Sequence, residues 1–380
     1  MLPATNSARP SLADVLPNCL DAVLGRPNRL GLPAVDRALV VLVDGLGAGS
    51  LGARAGHART LAGALSKESV IAAGFPTTTA SNIATLTTGE PSGVHGLVGY
   101  TVLDPAHDRI VNQLSGWDAL LDPATWQRSR TVFERAADTG IGSVVVAPAR
   151  YRDSGFTRAV LRGAAYRDGK SVADRFEAAR QALDDLDRGI VYLYVPELDQ
   201  VSHKHGWESA KWTAKLESVD AELTRFAGAL TAREGLLLTA DHGVLDVPPH
   251  AQVLFGEDPA LVDGIRFVAG EPRCLQLHFE PDASPALRAE VVDRWRRAEG
   301  GRADVLTRDE AIEQGWFGPR VDPEVVPRIG DILVAARKAI AYYDTRAKKQ
   351  DGRAMVGQHG SRSAEESRVP LLRFGAFARR

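Results

Sequence analysis

Asp199 and His203 stand four residues apart in "PELDQVSHKHG" (196–206), directly after the apolar run "GIVYLY". In a helical turn this spacing puts both side chains on one face, where a carboxylate oxygen and an imidazole nitrogen can grip one cation. His205 falls off that face and reads as a solvated histidine. Three further places carry ligand-type residues: Asp44 closes "VVLVDG", Asp241 and His242 close "LLLTADHG", and His359 lies in "GQHGS" near the C-terminus. Singly, an aspartate after an apolar run is more often a helix cap or turn former. Together, three aspartates and three histidines supply a mixed N/O ligand set. That set suits zinc, with manganese as the alternative, better than calcium or magnesium. Two divalent ions fit six such residues more naturally than one.

A hydroxyl nucleophile is available in "GFPTTTASNIATLTTG" (74–89). Pro76 cannot extend a preceding strand, and residues 80–88 have helical spacing, so one of the threonines is expected to cap a helix N-terminus. Free amides and the helix dipole attract an anion such as phosphate there. Coordination to a metal lowers the pKa of a hydroxyl and turns it into a nucleophile.

The elements that must position these groups are short aliphatic runs at 38–47, 143–150, 189–199 and 235–243, alternating with helical patterns at 171–187 and 209–232. Strand and helix in alternation predict an α/β fold with a doubly covered, mostly parallel central sheet. Ligands of such sheets bind outside the carboxyl ends of the strands, where the aspartates and histidines stand. From 245 to 355 the pattern changes to an inserted α+β cap subdomain, leaving 1–244 and 356–380 as the core. The insertion is expected to roof the cleft, with Tyr100, Trp117 and Trp316 as substrate contacts or as packing. "GAGSLG" (47–52) follows a strand in the manner of a dinucleotide fingerprint, but Asp44 stands at the strand end and would repel a pyrophosphate.

The 380 residues carry 46 basic and 48 acidic side chains, a net charge of −2 that steers the chain toward neither nucleic acid polymers nor membranes. A small-molecule substrate is the expected partner. The N-terminal residues lack a basic start followed by an apolar core, and no apolar run approaches the ~18 residues of a membrane span, so a cytoplasmic location is expected. Cys19 and Cys274 lack metal-type spacing and read as buried structural thiols.

Five stretches, "VDG" at Asp44, "FPTTTASNIATLTTGEPSGVHG" (75–96), "PELDQVSHKHG", "TADHG" (239–243) and "GQHGS" (357–361), occur in the order seen in the alkaline phosphatase superfamily. The chain most resembles the type I phosphodiesterase and nucleotide pyrophosphatase branch, over about residues 38–375. That branch reads roughly F-P-T-x-T-F-P-N-H-A-T-L-x-T-G around its nucleophile. The match runs from Phe75 to Gly89, with His95-Gly96 after it. The resemblance implies Thr79 as nucleophile and Asn82 as oxyanion-stabilising residue. It implies one zinc held by Asp44, Thr79, Asp241 and His242, and another by Asp199, His203 and His359.

The implied reaction is hydrolysis of phosphodiester or nucleotide pyrophosphate bonds through a threonyl-phosphoryl intermediate. Phosphomonoesters or phosphonates are the alternative substrates, and a catalytically silent metal-binding protein is the alternative from outside the enzymes. Sulfatases of the superfamily need Cys or Ser in a C/S-x-P-x-R setting, which neither cysteine has. Ala80 and Ser81 stand where the branch has Phe-Pro, and Ile83 where it has His. The aromatic that helps stack a nucleotide base in family members is therefore replaced by Ala80.

Overall fold

The computed structural model describes residues 9–378. Its centre is the strand Arg37–Val43, whose last six residues are buried, as expected where helices cover both faces of a parallel sheet. Gly189–Val195 and Glu234–Thr239 flank it in parallel. Gly142–Ala147 and then Ala165–Asp168 extend the sheet on one side. On the other side Arg368–Gly375 runs antiparallel to Glu234–Thr239 and pairs with Val70–Ala72, completing seven strands.

The helices start where side chains satisfy first-turn amides. Ser171 and Asp174 form a reciprocal capping box at Val172–Asp184, and Ser209 accepts from the Trp212 amide at Ala210–Gly228. Each such cap contributes about 1 kcal/mol. Trp212, Leu216, Val219, Leu223 and Phe226 recur every three or four residues and form the buried stripe of the second helix.

The aliphatic runs expected as strands are strands, ending at Val43, Ala147, Val195 and Thr239. Asp44, Asp199, Asp241 and His242 therefore lie just beyond the carboxyl edge of the sheet.

A second, antiparallel sheet has six strands in the order Ala303–Thr307, Ile332–Ala336, Cys274–Phe279, Ile265–Glu271, Thr101–Asp104, Arg109–Asn112. Helix Pro285–Glu299 packs with it through the buried Trp295. Four strands come from the expected insertion. The hairpin at 101–112 comes from the stretch assigned to the core, and Val102 and Val111 pack with Cys274, Leu333 and Trp316. Antiparallel partners this distant in sequence leave no local signal.

Cys19 and Cys274 are free and buried in different hydrophobic clusters, and burial pushes both thiols far up. Among the described residues no helix is long and apolar enough to cross a membrane. The "GAGSLG" turn is filled by protein: a Cβ on Gly47 would stand 3.0 Å from the Glu365 carbonyl oxygen.

Candidate active site

The six carboxylate and imidazole side chains meet as two triplets, Asp44–Asp241–His242 and Asp199–His203–His359. Within each triplet the ligand-type atoms all lie within 4.8 Å of one another. Asp199 and His203 share one face of the helix Glu197–His205, with His203 Nε2 3.1 Å from Asp199 Oδ2. Gly45 follows Asp44 with φ +74°, and a Cβ there would sit 3.0 Å from Asp199 Cβ. Only glycine permits both this backbone and this approach of the Asp44 turn to the Asp199 helix. His359 arrives from the C-terminal segment after a two-residue strand, Gly357–Gln358, paired with Leu245–Asp246. Its ring stacks on that of His242 with centroids 3.7 Å apart, so the triplets share a wall. His205 stays outside, 3.3 Å from Lys211 Nζ.

The hydrogen bonds fix how the imidazoles face the centre. Nδ1 of His203, His242 and His359 donates to the carbonyls of Gly357, Gly243 and Thr77 at 2.8, 3.1 and 2.8 Å. A carbonyl only accepts, so the proton sits on Nδ1 and the Nε2 lone pair turns toward the acids. His242 Nε2 lies 3.4 Å from both Asp44 Oδ1 and Asp241 Oδ2, and His359 Nε2 lies 3.8 Å from Asp199 Oδ1. Those same oxygens, Asp44 Oδ1, Asp199 Oδ1 and Asp241 Oδ2, are buried without a hydrogen-bond partner. Lone pairs facing buried carboxylate oxygens are costly unless a cation stands between them. The donor set thus fits divalent ions.

Charge in the site points the same way. Burial, and then Asp199, push the Asp241 carboxyl up to about 7. Burial, with Asp241 and Asp199 beside it, pushes Asp44 well above the carboxylate range. Burial lowers His242 to about 4 and His359 to about 3. Burial also pushes Asp199 up, but the neighbouring imidazoles, His203 foremost, outweigh it and hold the carboxyl low. His203 is raised because Asp199 outweighs the effect of burial.

Thr79 opens the helix Thr79–Thr88, and its Oγ1 lies 3.2 Å from His242 Nε2. The N-cap residue Thr78 is buried and has no side-chain cap bond. The first-turn amides are thus left without a side-chain cap beside the triplets, as an anion site requires. Asn82, for which the resemblance implies an oxyanion contact, follows one turn into the helix. It is wholly buried, and its Nδ2 donates to the Asp241 carbonyl at 2.8 Å, bracing the loop that carries Asp241 and His242.

Of the three aromatic candidates, Trp316 is buried edge-on to Phe75 at 4.9 Å, with the Arg362 guanidinium over its face at 4.3 Å. Trp117 packs between the two cores and donates to the Gln113 carbonyl. Both are packing residues, and Tyr100 alone of the three is exposed.

Sequence reasoning missed Tyr194, whose hydroxyl donates to Asp44 Oδ2 and leaves Oδ1 facing His242. A tyrosine one residue before the end of a buried strand carries no such signal. Partners of this kind orient ligand carboxylates, so Tyr194→Phe should weaken metal binding at the Asp44 triplet roughly 10- to 100-fold. Calorimetric titration of the metal-free protein would read the change.

A mostly parallel sheet with two such triplets and a helix-opening threonine beyond its carboxyl edge is the arrangement expected of the alkaline phosphatase superfamily. Within it, the chain belongs to the type I phosphodiesterase / nucleotide pyrophosphatase family, whose profile matches residues 38–362. Ectonucleotide pyrophosphatase/phosphodiesterase 1 of Saccharomyces cerevisiae is 24% identical over 223 residues, 48% of this chain and 29% of that protein. The chain thus spans under a third of that relative's length. Murine ectonucleotide pyrophosphatase / phosphodiesterase 5, an inactive form in complex with AMP, superposes with a TM-score of 0.66 at 17% identity, covering 89% of this chain and 88% of that one. Phosphonoacetate hydrolase from Sinorhizobium meliloti, in complex with phosphonoacetate, gives 0.69 at 19% identity, covering 90% and 91%.

Proposed function

We propose that the protein hydrolyses phosphodiester or nucleotide pyrophosphate bonds at a two-ion site through a covalent intermediate on Thr79. One observation carries this reading: Thr79 Oγ1 lies against the Asp44–Asp241–His242 triplet, at a helix N-terminus without a side-chain cap. Asp44, Asp241, His242 and Thr79 would hold one ion, and Asp199, His203 and His359 the other. The N₃O₃ set of the six acids and imidazoles suits zinc, with manganese as the alternative. When bound, the ions supply charge that acidifies a hydroxyl and stabilises phosphoryl oxygens.

The chain's own residues do the rest. Thr79 Oγ1 gives up its proton and attacks phosphorus in line, expelling the oxygen or carbon group on the opposite side, while the first-turn amides of its helix and the Asn82 side-chain amide donate to an equatorial oxygen. Water then releases the phosphoryl group from Thr79. With Ala80 fully buried where family members carry a stacking aromatic, small phosphonates or simple diesters are the second reading.

The p-nitrophenyl esters of thymidine monophosphate, of phenylphosphonate and of phosphate, assayed with and without chelator, separate these readings. Chelator-sensitive turnover with the diester or phosphonate leading is expected. A preference for the monoester overturns the diesterase reading, and no chelator-sensitive turnover of any ester leaves a silent metal-binding protein.

Metal affinity should depend on pH in a defined direction. In the metal-free protein Asp241 keeps its proton until pH rises to about 7, and Asp44 beside it is also raised, so an incoming ion must displace more protons below pH 7 than above it. Apparent affinity for the Asp44 triplet should therefore fall as pH drops below about 7, roughly tenfold per unit for each proton displaced. Zinc titrations at pH 6, 7 and 8 would read the trend, and a flat profile across them would contradict it.

A further inference from the structure

His359 is the one member of its triplet that the helix Glu197–His205 does not carry. Its ring is placed by a turn, and that turn is held from the second sheet. Gly360 has φ +131°, and a Cβ on it would fall 2.3 Å from Glu271 Cγ and 2.5 Å from Cδ. Glu271 ends the strand Ile265–Glu271, is buried, and has an Oε1 without a hydrogen-bond partner.

Two residues on, Arg273 is fully buried. It grips Glu366 with Nε and Nη2, both at 2.8 Å, and donates through Nη1 to the carbonyls of Lys338 and Ile340. Glu366 in turn accepts from the Ser361 amide at 2.9 Å, and Ser361 Oγ donates to the Ala336 carbonyl at 2.6 Å. Thr77 closes the inner side: its carbonyl accepts from His359 Nδ1, its hydroxyl accepts from the Gly360 amide and donates to the Ser361 carbonyl. The turn 359–361 is thus clamped between the segment leading to Thr79 and one corner of the antiparallel sheet.

We propose that this corner, Glu271 and Arg273 with Glu366, positions His359 and thereby sets the affinity of the Asp199–His203–His359 triplet for its ion. The inference rests on the two-ion reading above. It changes the part played by the stretch 245–355, expected only to roof the cleft. The physical reason is geometric: ligand atoms must sit within a few tenths of an ångström of their ideal distances. Asp199 and His203 share one helix, with the His203 ring also held by the Gly357 carbonyl, whereas His359 depends wholly on groups packed around a three-residue turn. Glu271, Arg273 and Glu366 are positioning residues, since none belongs to either triplet.

The test is a calorimetric zinc titration of the metal-free full chain, with Glu271→Ala and Arg273→Lys beside the wild type. Lysine keeps the charge of Arg273 and loses its two-pronged grip. Wild type should take two ions. Each variant should bind one ion as wild type does and the other roughly 10- to 100-fold more weakly. Turnover at limiting zinc should fall in both variants and recover with excess zinc, with KM unchanged, a rescue that general loss of stability would not give. Should Arg273→Lys fail to fold, Glu271→Ala carries the test. Two ions bound with wild-type affinity in Glu271→Ala overturns the proposal, and so does equal weakening of both. A wild type that takes fewer than two ions sinks the two-ion reading itself, and the proposal falls with it.

Discussion

Thr79→Ala should lower turnover by roughly 10⁴-fold or more, in the range seen when a nucleophile is removed from a covalent mechanism, while metal content stays close to that of wild type. The separation follows from the geometry. Thr79 Oγ1 touches the Asp44 triplet only through His242 Nε2 at 3.2 Å, whereas three other side chains define that triplet. The substitution removes one neutral oxygen from a helix whose start is held by the Asn82 amide bonding the Thr78 carbonyl, so the helix survives. Activity comes from the p-nitrophenyl ester panel and metal content from elemental analysis of the purified variant. Turnover near the wild-type level would mean that another group attacks phosphorus. Loss of metal along with activity would mean that Thr79 serves chiefly as a ligand.

Asp241→Asn should have the opposite pattern and an effect nearly as large: metal is lost from the Asp44 triplet and turnover goes with it. Asparagine keeps the shape and can still accept the Gly45 amide, which Asp241 Oδ1 accepts at 3.3 Å, so the loop should remain folded. What disappears is the negative charge that draws a cation. The sign of the stability change then depends on the ion. Asp241 is raised from 3.8 to about 7 in the folded protein, so its ionisation opposes folding. That cost grows as pH rises from about 4 toward 7 and is fully present above 7. At pH 8 the metal-free variant should therefore melt above the metal-free wild type. With zinc added the order should reverse, because only the wild type gains the binding energy of the full triplet. Two melting curves, with and without zinc, read both signs. A metal-free variant that melts below the metal-free wild type would show that the aspartate has a partner the geometry does not include.

The Asp44 triplet is built by residues just beyond the ends of two adjacent strands, Arg37–Val43 and Glu234–Thr239. The other triplet joins one helix to a turn near the C-terminus that is held by Thr77 and Glu366.

Local chemistry in the sequence already determined the strand ends, the helix stripes and the identity of the ligand-type residues. A buried parallel strand must be aliphatic throughout, and Asp or His directly after such a strand has few packing roles. The i,i+4 spacing of Asp199 and His203 alone sufficed to place them on one helix face. Tertiary structure decided what no short-range pattern encodes. The pairing of the 101–112 hairpin with the strand Ile265–Glu271, more than 150 residues away, the turn of Asn82 toward the Asp241 carbonyl, and the bond from Tyr194 to Asp44 depend on contacts between segments far apart in the chain. So does the grip of Arg273 and Glu366 on the His359 turn. A residue's type limits which bonds it can make, but its partner is chosen only when the sheets have closed around it.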